Sequence, residues 1–303
     1  SYMSPSDTIS VSAVVDSGIF RHSGFAGLKL KDAIADYFRK KSGIRPSVDR
    51  ESPDIIVNLH ISGSNVTVSL DSSGEPLFKR GYRKGTGPAP LNEILAAAVV
   101  RLSEWKPDDI LIDPMCGSGT ILMEAGMYAS SMPAGYFRKS YGFMRWKDYD
   151  EALFAEIRER SNKAVKVPEN IRVKGYDISA EAVNTSRRNI KAAGFEEIIS
   201  AEQKDFMELL PEAPSGYLIF NPPYGERMKN EELTLFYERT GQHLKYHFGN
   251  YKACVLSPSA GPVKRIGLKP SARYRLYNGP IECHLLVFEL YEGSKKLKNR
   301  NIT

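Results

Sequence analysis

Residues 110–120, ILIDPMCGSGT, decide how the chain is read. DILID (109–113) is a short apolar run that predicts a buried strand, and TILMEAGMYAS after it has the spacing of a helix. Two glycines and an acid therefore sit in a strand-to-helix turn. Ligands of open α/β sheets bind outside the carboxyl ends of the strands, and glycine lets backbone approach them with no Cβ in the way. Two phosphate-binding loops are excluded. A G-x-G-x-x-G fingerprint needs glycine where Leu122 stands, and a Walker loop needs a lysine that is missing. A plain structural turn stays open at this point.

Outward from this turn, strands alternate with helices. RVKGYD (172–177), ISAEQKD (199–205), GYLIFN (216–221) and KACVLSPS read as further strands, and the segments beginning at Pro90, Ser179 and Leu233 as helices. ARYRLYNGPIECHLLVFEL reads as a terminal hairpin around Asn278-Gly279. This rhythm predicts an α/β fold: a mostly parallel sheet covered by helices on both faces, with an antiparallel pair at one edge. Before it, TISVSAVVD (8–16), GLKLKDAIADYFRKKSG (27–43) and DIIVNLHISGSNVTVSLDSSG (54–74) read as strand, helix and hairpin. That smaller unit begins abruptly, and its domain is expected to extend upstream of residue 1. RGYRKGTGPAP (80–90), rich in glycine, proline and basic residues, reads as the boundary, giving domains 1–82 and 83–303.

Composition narrows the class. The 303 residues are 42% apolar and 26% charged, ordinary for a globular chain. No apolar run is long enough for a membrane helix, and no signal peptide is visible. Cys116, Cys254 and Cys283 are far apart and odd in number, which argues against a disulfide framework or a metal knuckle and for the cytoplasm. The net charge of +6 is distributed as +3 over residues 1–85, −3 over 86–261 and +6 over 262–303. A polyanion could dock on the two ends while the middle does chemistry; solvated basic tails explain the charge equally well.

D-P-x-x-G-S-G-T, containing Asp113, Pro114, Gly117, Gly119 and Thr120, resembles motif I of S-adenosylmethionine-dependent methyltransferases. Asp177 ends the second predicted strand, where a carboxylate could accept both ribose hydroxyls, and Asp205 ends the third, where it could accept an adenine amine. Ile178 and Phe206 follow them and could sandwich the ring. Any one of these acids could be a helix cap or turn former. Three acids ending three successive strands suit a ligand with hydroxyls and an amine rather than phosphates.

The fourth strand then places Asn221, Pro222, Pro223 and Tyr224 beside that pocket. The exocyclic amine of a base is a poor nucleophile because its lone pair is delocalised into the ring. Two acceptors aimed at its two N–H groups would bind the charge developing on nitrogen better than the flat ground state. The Asn221 side-chain oxygen and the Pro222 carbonyl are those acceptors, held by the stiffness of the prolines. Tyr224 could stack on the base. A rigid strand-to-loop turn with an incidental tyrosine is the bland alternative.

GYRKGTGPAPLNEILAAAVV, LIDPMCGSGTILMEAG, KGYDIS, FNPPYGERM and YNGPIECHL together resemble the guanine-N2 methyltransferase domain of bacterial 23S ribosomal RNA methyltransferases of the large-subunit class. GLKLKDAIADYF, PSVDRESPDIIVNLHISG and SLDSSGEPLFKRGYR resemble the second part of a THUMP domain, a small RNA-binding module. Against that resemblance, the stretch at hand is expected to hold only the later part of the RNA-binding region and a single methyltransferase domain. The resemblance implies a class I Rossmann-like fold with a mostly parallel seven-stranded sheet and a C-terminal antiparallel hairpin. It implies S-adenosylmethionine as cofactor and large-subunit ribosomal RNA or its precursor as partner, with no metal and no membrane. Cofactor contacts fall at Asp113, Pro114, Gly117, Gly119, Thr120, Asp177, Ile178, Asp205, Phe206 and Asn221, catalytic ones at Asn221, Pro222 and Tyr224, and substrate contacts at Tyr224 and Arg227. Arg227 could instead pair with Glu226 or Glu231.

Three other readings stay open: an adenine-N6 methyltransferase on DNA or RNA, a protein glutamine-amide methyltransferase, and a non-catalytic RNA-binding module. His243 and His247 have metal-ligand spacing but lack the intervening glutamate of H-E-x-x-H, so a solvated or partly buried pair is expected. Cys116 has no His or Lys partner in sequence and reads as packing. Trp146 reads as core. The arginines and aromatics around 273–276 could line an RNA path or simply pack in the sheet.

Overall fold

The computed structural model describes residues 2–86, 90–223, 230–259 and 262–292. Two compact units emerge: Ser1–Lys79 with Phe137–Ser161, and Arg80–Tyr136 with Asn162–Thr303. In chain order the elements are β1 (Ile9–Asp16), α1 (Ser23–Ser42), β2 (Ile55–Ser62), β3 (Asn65–Leu70), α2 (Glu93–Leu102), β4 (Leu111–Asp113), α3 (Thr120–Ala129), α4 (Glu151–Lys163), β5 (Val173–Asp177), α5 (Ala180–Ala193), β6 (Ile199–Gln203), β7 (Gly216–Phe220), α6 (Asn230–His247), β8 (Tyr251–Pro258), β9 (Ala272–Asn278) and β10 (Ile281–Glu289).

In the first unit β1 runs parallel to β2, and β2 antiparallel to β3. Pleating places Val11, Ala13 and Val15 on the same face as Val57, Leu59 and Ile61. Leu30, Ile34 and Ala26 of α1 cover that face. The opposite face carries Ser12, Val14, Asn58, His60, Thr67 and Ser69. The segment Phe137–Ser161, a long connection between α3 and β5 in sequence, belongs to this unit. Its Arg138 guanidinium donates to the carbonyls of Ser73 (2.9 Å), Pro76 (3.1 Å) and Glu75, and Trp146 packs against Ile9, Ile55 and Val57. The tryptophan is thus core, but of the first unit.

The second unit holds a seven-stranded sheet in the order β6-β5-β4-β7-β8-β10-β9. β4 to β8 pair in parallel; β10 pairs antiparallel with β8 and β9. Leu122 of α3 lies against Gly175 on one face, while the neighbouring Tyr176 joins Phe220, Val255, Tyr237, Leu244 and Phe248 beneath α6 on the other. Burial on both faces explains why β4 and β7 are continuous apolar runs. Strand order moves outward in one direction from β4 through β5 to β6, then jumps back to β7 on the other side. Between β4 and β7 lies the switch point where such sheets open a crevice.

Candidate active site

The carboxyl ends of β4, β5 and β7 and the turn after β6 converge on a cavity of about 750 Å³. Asp113, Pro114, Gly117 and Thr120 line it from β4 and the glycine turn. Asp177, Ile178, Asp205, Phe206 and Asn221 line it from the later strand ends. Gly119 is not a lining residue. It caps α3 with φ 82°, and a Cβ there would run into Ser186 of α5, so glycine is needed for both the turn and the helix packing. Pro222 is buried and does not line the cavity, whereas Pro223 does. Tyr224 and Arg227 lie outside the described residues.

The three acids sit in different surroundings. Asp113 is 1% exposed, and its Oδ1 accepts the Met115 N–H at 3.1 Å. Burial pushes its carboxyl well above the usual range; the Met115 bond opposes this, and the charge of Asp177 adds to it. Asp177 ties the site together, with Oδ2 accepting the Gly117 N–H and Oδ1 the Ser179 N–H, both at 2.9 Å. One lone pair on each oxygen is left for a ligand hydroxyl. Asp205 stands two residues past the end of β6, because strand pairing stops at Gln203. Its Oδ1 accepts the Met207 N–H at 2.9 Å and caps the 3-10 turn Phe206–Glu208.

The two apolar neighbours contribute unequally. Ile178 is 69% exposed and offers an open surface, whereas Phe206 is 3% exposed and packs against Phe220, Phe248 and the His243 ring. Phe206 mainly braces the wall. The side-chain Oδ1 of Asn221, directly after β7, is shielded from solvent and has no hydrogen-bond partner among the described residues. Leaving such an acceptor unpaired costs about 1–3 kcal/mol. Asn221 itself lines the cavity, so a small turn of its carboxamide would bring this unpaired oxygen to the open side.

Cys116 lines the cavity at 7% exposure; burial, with Asp113 and Asp177 nearby, pushes its thiol well up, so it stays protonated and unreactive. His243 is buried, its Nε2 is 2.9 Å from the Leu209 carbonyl, and burial lowers its pKa.

Three contributors were not singled out in the sequence. Glu232, Leu235, Phe236 and Arg239, one face of α6, form part of the cavity wall. Their i, i+3, i+4, i+7 spacing was visible, but the helix was read only as sheet cover. Thr86, Pro90 and Leu91 come from the segment read as a linker. Its arginines are anchored: Arg80 pairs with buried Glu124 at 3.3 Å, and Arg83 donates to the Leu91 carbonyl (3.0 Å) and Thr120 Oγ1 (3.1 Å). Arg83 Nε is also 3.3 Å from Glu93, an ion-pair distance without hydrogen-bond geometry. Asn189, 1% exposed on α5, is the third. Its Oδ1 accepts the Lys84 and Gly85 N–H groups (2.7 and 3.2 Å), and its Nδ2 donates to the Gly85 and Ser118 carbonyls (3.1 and 2.9 Å). A polar residue beside Ile190 on a buried stripe was the available signal.

Residues 80–286 match UPF0020, described as an RMKL-like methyltransferase domain, and residues 1–71 match the THUMP domain. The chain belongs to the RMKL-like methyltransferase family. A Synechocystis sp. protein named "Putative RNA methyltransferase slr0064" is 37% identical over 291 residues, 96% of this chain and 76% of that one. A structure described as "SMU.472, a putative methyltransferase complexed with SAH" is 25% identical, with a TM-score of 0.85 over 97% of this chain and 78% of its own. A Listeria monocytogenes structure described as a "predicted N6-adenine-specific DNA methylase" is 25% identical, with a TM-score of 0.81 over 97% of this chain and 75% of its own. The seven-stranded sheet is thus the Rossmann-like methyltransferase fold with antiparallel strands at its C-terminal edge, preceded by a THUMP domain.

Proposed function

We propose that this RMKL-like methyltransferase uses S-adenosylmethionine to methylate the exocyclic N2 amine of a guanine in 23S ribosomal RNA, in the cytoplasm. The observation that carries the reading is Asn221, whose Oδ1 has no partner among the described residues, in the same cavity lining as Asp113, Asp177 and Asp205. The name of the Synechocystis relative supports RNA as substrate class, and the SAH complex of SMU.472 supports the cofactor.

The residues present fit the cofactor. Asp177 keeps a lone pair on each oxygen for the ribose hydroxyls, Asp205 keeps acceptor capacity for an adenine amine, and Ile178 leaves an apolar surface exposed. When bound, S-adenosylmethionine supplies an electrophilic sulfonium methyl. The chain holds the amine for attack: Asn221 Oδ1, turned to the cavity, takes one N–H, and the carbonyl of Pro222, a buried residue just behind the lining, is assigned the other, which favours a pyramidal nitrogen as charge develops. No strong base is needed, because the amine proton becomes acidic once nitrogen is alkylated. Tyr224 is assigned to stacking on the base, and Arg227 to a phosphate. The base must leave its stack to enter, at a cost of a few kcal/mol.

Adenine-N6 methylation is the second reading, favoured by the description of the Listeria protein and by the ability of the same two acceptors to hold either amine. The test is methyl transfer from labelled cofactor to 23S rRNA lacking the modification, with the product nucleoside identified by mass spectrometry. N2-methylguanosine is expected. N6-methyladenosine would install the second reading, and label on protein with none on RNA would reject both.

A further inference from the structure

β9 is the outer strand of the seven-stranded sheet and pairs only with β10. Along it Ala272, Tyr274 and Leu276 are half-buried, while Arg273, Arg275 and Tyr277 are exposed. Pleating puts those three on one face, roughly 6.7 Å from one to the next. Tyr277 is 54% exposed, and neither it nor Arg275 makes a side-chain bond among the described residues. Arg273 is seated differently: its Nη2 lies 3.0 and 3.2 Å from the two ring nitrogens of His284 on β10. Burial, then the charge of Arg273 itself, holds the His284 pKa below the usual value, so the ring orients the guanidinium without cancelling its charge.

Register places this row. Phe220 at the end of β7 is level with Val255, Leu286 and Arg273. Arg275 and Tyr277 therefore reach past the end of β7 on the cavity side. They stand three strand spacings from β7, roughly 14 Å sideways. All three point to the α6 side of the sheet, the side of Phe220, Val255 and Leu286. The 3-10 turn Pro262–Ile266 lies on that side too, pressed to α6 where a Cβ on Gly241 would collide with the Ile266 carbonyl. It adds exposed Lys264 and Arg265, and Lys269 follows. Among the described residues only Arg265 of these has an acid partner, Glu238 at 3.7 Å.

Charges on an edge strand also block edge-to-edge pairing. Lysines would suffice for that. Two arginines on alternate residues followed by an exposed tyrosine offer instead forks for phosphate and a ring for a base. The front of the chain does not compete for this role by charge. Its first 85 residues carry +3. Yet Arg80, Arg83 and Lys84 fold with the second unit, and Arg80 and Arg83 are paired with Glu124 and Glu93. The compact first unit holds 15 basic and 14 acidic residues, close to neutral.

We propose that the outward row Arg273, Arg275 and Tyr277, with His284 seating the first arginine, is a track for single-stranded RNA flanking the target nucleotide. The two guanidinium groups take successive phosphates and Tyr277 stacks on a base. The proposal rests on the RNA reading above and adds where the strand runs.

The test compares wild type, Arg273→Ala/Arg275→Ala, Arg273→Lys/Arg275→Lys and Tyr277→Ala. Binding to a fluorescent single-stranded RNA carrying the target guanine is measured as a function of salt, and S-adenosylmethionine affinity by calorimetry. The double alanine variant is expected to bind RNA at least about tenfold more weakly, with cofactor affinity unchanged. Each single-strand phosphate contact contributes about 0.7 to the slope of log affinity against log salt, so the slope should flatten by roughly 1.4. The lysine variant should recover most of that slope, and Tyr277→Ala should weaken binding with the slope intact. A wild type that binds and methylates RNA beside an alanine variant with unchanged affinity and slope would overturn the track alone. A wild type that binds no RNA would overturn the RNA reading and the track together.

Discussion

The two sheets of this protein obey the same pleating rule and serve different ends. The inner strands of the seven-stranded sheet are buried on both faces, so they can stop at a common edge and open a deep cavity there. The three-stranded sheet is covered on one face only, and its other face is open and mixed, with Ser12, Asn58, His60, Thr67 and Ser69 beside Val14, Ile56 and the carboxylate of Asp16. Beside it the excursion Phe137–Ser161 builds an aromatic cleft of about 460 Å³ from Phe143, Trp146, Tyr149 and Phe154. Double coverage creates a rigid place for chemistry. Single coverage leaves a surface and a smaller core.

That contrast can be broken by substitutions in either region. The largest effect is expected at Asn221→Ala, which should lower the turnover of methyl transfer by about 10²–10³-fold, as loss of one transition-state hydrogen bond does elsewhere. Cofactor affinity, read by calorimetry, should stay within about threefold; an unchanged turnover would remove the two-acceptor mechanism. Next is Asp177→Ala, which takes the carboxylate acceptor away from the half-buried Gly117 N–H and the exposed Ser179 N–H. Cofactor binding should weaken by about 30–300-fold, and cofactor affinity equal to wild type would detach this acid from the site.

Trp146→Ala sharpens the contrast from the other side. It opens the small core around Ile9, Ile55 and Val57 and should destabilise the first unit by about 2–4 kcal/mol. Denaturant unfolding should then split into two transitions, with cofactor affinity preserved. A parallel loss of cofactor binding would show that the two units do not act separately.

The smallest effect concerns pH. Asp113 has its carboxyl raised above its unfolded value of 3.8, chiefly by burial. A raised pKa stabilises the fold fully below pH 3.8, and that contribution is lost as pH rises through the folded pKa. Asp113→Asn, whose amide oxygen can still accept from Met115, removes this loss. Its Tm relative to wild type should therefore be higher at pH 8 than at pH 5, by a few degrees. Parallel Tm curves across that range would place the carboxyl in a less costly setting.

Much of this was legible in one dimension. Apolar runs before Asp113 and Asn221 and the shorter strand before Asp177 marked the strand ends, and glycine at 117 and 119 marked the turn, because strand burial and left-handed turns restrict residue type strongly. The antiparallel pair around Asn278-Gly279 was readable for the same reason. Other features had no local signature. The stretch at 80–91 has the composition of a linker, yet Arg83 and Asn189 pin its described part through partners up to 105 positions apart, and Thr86, Pro90 and Leu91 line the cavity. Phe137–Ser161 reads as a connection within the second unit and folds with the first.

Sequence by itself determined where β4, β5 and β7 stop and which side chain stands there, though not where β6 stops, since strand ends depend on neighbouring residues and on backbone conformations open to few residue types. Only the tertiary structure decided which ends share a cavity, which arginines are neutralised by buried acids, and which remain on an open edge. Those outcomes depend on strand order and long-range register, and a polar residue at a given position carries no mark of the distant partner that will meet it.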